Sequence, residues 1–86
     1  MTITNLEEAK NLTQQFTSKP SNEDLLKLYG LYKQATEGDN LTERPGGFDF
    51  KAAAKYISWL NYKGKSKEEA INSYIELVEE LSKKHL

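Results

Sequence analysis

Along this chain the apolar positions recur at helical spacing in four stretches, and nowhere do they alternate with the period of two that a half-buried strand requires. Leu6, Ala9, Leu12 and Phe16 mark a first helix over about residues 4 to 17, and Thr4 with Glu7 three positions on forms a capping box at its start. The stretch Ser18 to Asn22 then breaks the period, with Pro20 at the turn and Ser21 or Asn22 offering an N-cap oxygen. Leu25, Leu28, Tyr29, Tyr32 and Ala35 carry a second helix to about Glu37, where Gly38, Asp39 and Asn40 stop it. Asp49 caps a third helix in which Phe50, Ala53, Ile57 and Leu60 share a face, and which ends at Lys63 and Gly64. Ser66 to Glu69 is a second capping box, opening a fourth helix with Ile71, Tyr74, Ile75, Val78 and Leu81 inward.

The connections order these helices. The first and second, and the third and fourth, are joined by only a few residues, which favours antiparallel neighbours; the second and third are separated by the long GDNLTERPGGFDF segment. Long connections of this kind are functional or disordered, and Leu41, Phe48 and Phe50 imply that this one packs against the rest. An all-α four-helix bundle in up-down-down-up order is therefore the first expectation, with simple up-down-up-down order as the second.

Composition narrows the function. At 86 residues the chain is read as a single domain over 1–86. It has no cysteine, which removes disulfides, thiolate metal sites and a thiol nucleophile and is compatible with a reducing compartment. A net charge of -1 gives the molecule no general attraction for nucleic acid or anionic membranes, so any anion site must be local. The start, MTITNLEEAK, lacks a basic segment followed by an apolar run, and no apolar run approaches the ~20 residues of a spanning helix. The expectation is a cytoplasmic, unanchored protein.

Catalytic chemistry has few candidates. His85 stands next to the C-terminal residue, where fraying is expected, and no nucleophile, zinc or phosphate-loop motif occurs. The aromatic and basic residues are more informative. Tyr29, Tyr32 and Lys33 fall within one turn of the second helix, Lys51 and Lys55 are spaced i, i+4 on the third, and Tyr74 lies on the fourth. Like charges at i, i+4 repel unless an anion lies near them, so converging faces would make a mouth with aromatic walls and ammonium donors, suited to a phosphorylated, ring-bearing ligand. Gly30, inside the second helix, costs about 1 kcal/mol against alanine, which a close approach by a ligand or a neighbouring helix would explain. On residue patterns alone, a helical module offering an apolar groove to a partner protein is the alternative.

The segments YGLYKQATEGD, ERPGGFDFKAAAK and KGKSKEEAINSYIELVEEL, with Trp59 between the last two, resemble the acyl-CoA-binding protein family, also called diazepam-binding inhibitor, from about Leu6 to Leu81. The resemblance implies an up-down-down-up bundle that binds medium- to long-chain fatty acyl-coenzyme A as a monomeric carrier and pool former. No catalysis, cofactor or metal, no nucleic acid and no stable membrane insertion are implied. By the same resemblance Tyr29, Lys33 and Lys55 would hold the phosphates, Tyr32 would flank the adenine and Tyr74 would close the nucleotide site, while the acyl chain would lie along Leu25 and Leu26. The chain departs from the family pattern at Gln14, where many members carry a lysine at the phosphate end, at Gly30, at Tyr56 in place of a tryptophan, and at Gly47 with Phe48 in the loop.

Overall fold

A computed structural model describes residues 5–86. Four helices account for its regular structure among these residues: α1 (Leu6–Thr13), α2 (Asn22–Glu37), α3 (Phe50–Leu60) and α4 (Lys67–His85). The caps fix their starts. Ser21 accepts a hydrogen bond from the Asp24 amide, Asp49 from the Ala52 amide, and Ser66 and Glu69 complete a reciprocal capping box. At α1 the cap is Asn5, whose side chain accepts from the Glu8 amide at 2.8 Å; the expected Thr4 cap lies outside the described residues. This helix is also shorter than its periodicity suggests, because after Gln14 the chain turns so that the Thr17 amide donates to the His85 carbonyl at 2.6 Å instead of continuing the helix.

Cross-links between elements give the directions. The chain beyond the C-terminal end of α1 meets the C-terminal end of α4 through Thr17 and His85, so those two helices run the same way. Gln34, near the end of α2, donates to the Lys65 carbonyl just before α4 at 2.8 Å, which makes α2 and α4 antiparallel. The Gly64 amide, just past the end of α3, donates to Asp39 Oδ1, and Trp59 Nε1 to the Gly38 carbonyl, each at 2.8 Å, so the C-terminal end of α3 meets the C-terminal end of α2. The order is up-down-down-up. α2 packs on both α4 and α3, and α1 packs on α4. Ala9, Leu12, Leu28, Leu31, Tyr74, Val78 and Leu81 form the core, as the helical period of α1, α2 and α4 requires.

α3 departs from expectation. Phe50, Ile57 and Leu60 face solvent with only Ala53 of that stripe half-buried, while Ser58 and Trp59 point inward. Leu41 and Phe48 are exposed as well, so the long loop is not anchored by its apolar side chains. It is anchored by polar ones at its α2 end. Asp39 Oδ1 accepts from both Gln34 Nε2 and the Gly64 amide, each at 2.8 Å, and Asn40 donates to the Tyr56 carbonyl. Gly38, at φ 81°, provides the left-handed turn that starts this run. His85, expected to fray, is held by the Thr17 and Ser18 contacts and lies with its ring centroid 5.8 Å from that of Phe16.

These caps and clasps make the fold sensitive to acid. The Gly64 amide, followed by Gln34, holds the Asp39 carboxyl below its ordinary value of 3.8, and the Ser66 amide holds Glu69 below 4.5. Lowered carboxylate values mean stability that is fully present above the ordinary values and is lost as pH falls through the lowered ones. Urea unfolding between pH 6 and pH 2 is expected to show a midpoint that falls below about pH 4.5, with a shallower fall in Asp39→Asn.

Candidate functional site

The α1–α2 turn, the middle of α2 and the buried tyrosine of α4 enclose a cleft of about 570 Å³. That volume is within the ~300 to 1,000 Å³ typical of small-ligand sites. Its aromatic wall consists of Tyr29, Tyr32, Tyr74 and Phe16, with Lys10 and Lys19 among the other lining residues. Tyr29 and Tyr32 reach this wall from neighbouring turns because three positions on a helix share a face. Tyr32 and Tyr74 meet at 5.7 Å between ring centroids, tilted by 55°. Burial pushes the Tyr74 phenol above its ordinary 10.0, with the nearby Thr13 side chain pulling the other way, so this ring is a neutral wall at physiological pH.

The cleft continues past Tyr29. A second space of about 470 Å³ between α2 and α3 is lined by Leu25, Leu26, Tyr29, Ala54, Lys51 and Lys55, and shares Lys19, Leu25 and Tyr29 with the first. The Lys55 ammonium lies 5.3 Å from the Tyr29 ring centroid, within the range of a cation–π contact. Packing parallel helices α2 and α3 with Gly30 between them brings these groups together: a Cβ at Gly30 would stand 2.5 Å from the Ser58 carbonyl oxygen. The neighbouring helix, not a ligand, therefore accounts for that glycine.

Of the residues expected at the site, Tyr29, Tyr32 and Tyr74 line the first cleft, and Lys55, Leu25 and Leu26 the second, with Leu25 and Tyr29 common to both. Lys33 lines neither. Its ammonium is paired with Glu37 one turn on and lies 5.0 Å over the Trp59 ring; the Glu37 hydrogen bond raises its pKa above 10.5 and keeps it charged. Exposed ion pairs of this spacing are worth only about 0.3 to 0.5 kcal/mol, so the flexible side chain can leave Glu37 for a stronger anion.

Lys10 and Lys19 are lining residues that the sequence did not single out, whereas Phe16 was expected only as an apolar position of the first helix. Lys10 donates to the Tyr32 hydroxyl at 3.3 Å, with its ammonium 4.8 Å from that ring's centroid. It supplies a cation beside Gln14, one turn further along the same stretch of chain. Only the packing of α1 and α2 on the same helix, α4, brings Lys10 to Tyr32. Among the described residues no group of three or more metal-ligating side chains occurs, and no helix is long and apolar enough to cross a membrane.

An all-α bundle with a tyrosine-walled cleft leading into one where Leu25 and Leu26 lie beside lysines belongs to the class of small-ligand-binding helical proteins. Residues 4–78 match the family described as acyl CoA binding protein, and the chain is a member of that family. It is 47% identical over 83 residues to the acyl-CoA-binding protein of Dictyostelium discoideum, covering 96% of this chain and 99% of that one. With the acyl-CoA-binding protein of Saccharomyces cerevisiae it shares 48% identity over 79 residues, covering 92% and 91%. The fold is similar to the crystal structure of Oryza sativa acyl-CoA-binding protein 2, at a TM-score of 0.87 and 46% identity over 92% of this chain and 88% of that one. It is also similar to the solution structure of the yeast acyl-coenzyme A binding protein, at a TM-score of 0.71 and 49% identity over 92% and 91%.

Proposed function

We propose that this chain binds medium- to long-chain fatty acyl-coenzyme A and acts as a non-catalytic, monomeric carrier and reservoir in the cytoplasm. The observation that carries this reading is the continuity, through Tyr29, of a cleft walled by tyrosines and lysines with one lined by Leu25 and Leu26. A ligand with a charged, aromatic head and an apolar tail matches that sequence of surfaces. Membership of the family supports the same assignment.

Within this reading Tyr32 and Tyr74 flank the adenine, and Tyr29, Lys55 and Lys33 hold the phosphates, Lys33 after leaving Glu37. Lys10 and Lys19 add positive charge at the same mouth, which offsets the neutral Gln14. Leu25 and Leu26 line the start of the path taken by the acyl chain. Neighbouring lysines that repel one another in the empty protein are relieved when phosphate neutralises them.

Calorimetric titration with palmitoyl-coenzyme A tests the assignment, with nanomolar affinity expected and failure of a folded sample to bind at micromolar concentration rejecting it. Lys55→Ala and Lys33→Ala should each weaken binding by more than about 1 kcal/mol, at least fivefold in Kd, because each leaves a phosphate oxygen without its charged donor. Lys83→Ala, on the exposed end of α4, should leave Kd unchanged. Glu37→Gln should bind at least as tightly as the parent, since Lys33 then starts unpaired. Sedimentation equilibrium with and without ligand checks the monomeric state.

A further inference from the structure

His85 lines neither cleft, yet it touches the stretch of chain that helps to wall both. Phe16, Thr17, Ser18 and Lys19 all line the first cleft, and Lys19 lines the second as well. They belong to the turn between α1 and α2, which has no regular structure of its own to hold it. Between Thr17 and Pro20, every hydrogen bond to another described residue ends on His85. The Thr17 amide donates to the His85 carbonyl at 2.6 Å and the Thr17 hydroxyl to the same oxygen at 3.0 Å, with the Ser18 amide behind at 3.4 Å. Ser18 Oγ and His85 Nδ1 lie 2.8 Å apart, a hydrogen bond whichever of the two supplies the proton. The imidazole also lies against Phe16, with ring centroids 5.8 Å apart and planes tilted by 39°.

The support is mutual. His85 is the last residue of α4, and its carbonyl is one of those a helix leaves without an internal partner; the turn supplies the missing donors. In return, the end of a 19-residue helix that is packed in the core fixes a turn that would otherwise hang between α1 and α2. A loose turn would have to be ordered by the ligand, and the cost of that ordering is subtracted from affinity.

We propose that His85 is a positioning residue for the ligand site: it clasps the α1–α2 turn so that Phe16 and Lys19 stand in the cleft wall before the ligand arrives. The inference rests on the acyl-coenzyme A reading for the identity of the ligand, and adds to it a residue outside both clefts. Coupling of this kind is reciprocal. If the closed clasp favours the ligand, the ligand favours the closed clasp by the same factor.

Calorimetry and amide hydrogen exchange on the full chain test the clasp. His85→Ala should weaken binding of palmitoyl- and dodecanoyl-coenzyme A by the same factor, about three- to tenfold, the cost of ordering one or two side chains anew on binding. In that variant the Thr17 and Ser18 amides should exchange faster while the amide of core Val78 exchanges as in the parent, which separates a loosened turn from a weakened fold. In the parent, palmitoyl-coenzyme A should slow exchange at Thr17 and Ser18. Lys83→Ala, in the same last turn of α4, should leave affinity and exchange unchanged. Should the alanine variant fail to fold, Ser18→Ala cuts the side-chain hydrogen bond from the exposed turn and should give the same pattern. An unchanged Kd, a loss confined to the longer tail, or a loss without selectively faster exchange at Thr17 overturns the inference and leaves the ligand assignment standing. A folded parent that binds neither thioester rejects that assignment, and the inference with it.

Discussion

Replacing palmitoyl- by hexanoyl-coenzyme A should weaken binding to this chain by a factor of about a thousand or more. The change removes about ten methylenes, each worth about 0.8 kcal/mol when fully buried, or roughly 8 kcal/mol in all. The proposed acyl path between α2 and α3 is an open cleft, so half-burial sets the lower bound at about 4 kcal/mol, which is roughly a thousandfold in Kd. The head group supplies charge-assisted hydrogen bonds of about 1.5 to 3 kcal/mol each, but most of that gain is offset by desolvation and lost freedom. Tail length therefore sets affinity, and the head sets identity. Palmitate, which carries the tail without the nucleotide, should bind at near-millimolar levels or more weakly. Calorimetry across a series of chain lengths reads both effects, and equal affinity for palmitate and palmitoyl-coenzyme A would contradict the assignment.

Gly30→Val should lower the stability of the fold by about 2 kcal/mol or more, and Gly30→Ala by a smaller amount in the same direction. Helix propensity argues the opposite way, since alanine in place of glycine gains about 1 kcal/mol. The contact decides the sign. An added Cβ would lie 2.5 Å from the Ser58 carbonyl oxygen and 2.8 Å from its carbon, and backbone atoms cannot rotate aside. The Tyr62 ring, 2.8 Å from the same point, has more freedom to move. Relief requires α2 and α3 to separate, which stretches the Ser58 to Leu26 and Trp59 to Gly38 hydrogen bonds together. Thermal unfolding should show a melting temperature lower by about 10 °C for the valine variant. A variant melting above the parent would mean that the helices are not in close contact at this glycine. Because Lys55 and Tyr29 face each other across the same helix pair, the substitution should also weaken ligand binding.

The helix starts at Ser21, Asp49 and Ser66 were legible because capping is local: an oxygen two or three residues before the first free amides is enough to stop the chain there. The inward positions of α4, Tyr74, Val78 and Leu81, were legible for a related reason, since one continuous apolar stripe on an otherwise polar helix has one way to be buried. α3 was misread because its apolar residues occupy two sides, and the side chosen by the fold is the one bearing Trp59, whose indole nitrogen finds a carbonyl at Gly38. His85 was misread because its retention depends on Thr17 and Ser18, far from it in sequence.

The sequence by itself determined four helices, the caps of the last three and, through extended motifs, the family, and it supplied the residue types proposed here for the ligand. Tertiary structure alone decided which of those residues meet: Lys10 joins Tyr32, Lys55 joins Tyr29, and Lys33 rests on Glu37 outside both clefts. It also decided that the apolar stripe of α3 faces outward. Caps and periodicity act over one or two turns and are written in neighbouring residues, whereas the convergence of side chains depends on how closely helices approach and at what angle, which packing across the whole bundle sets.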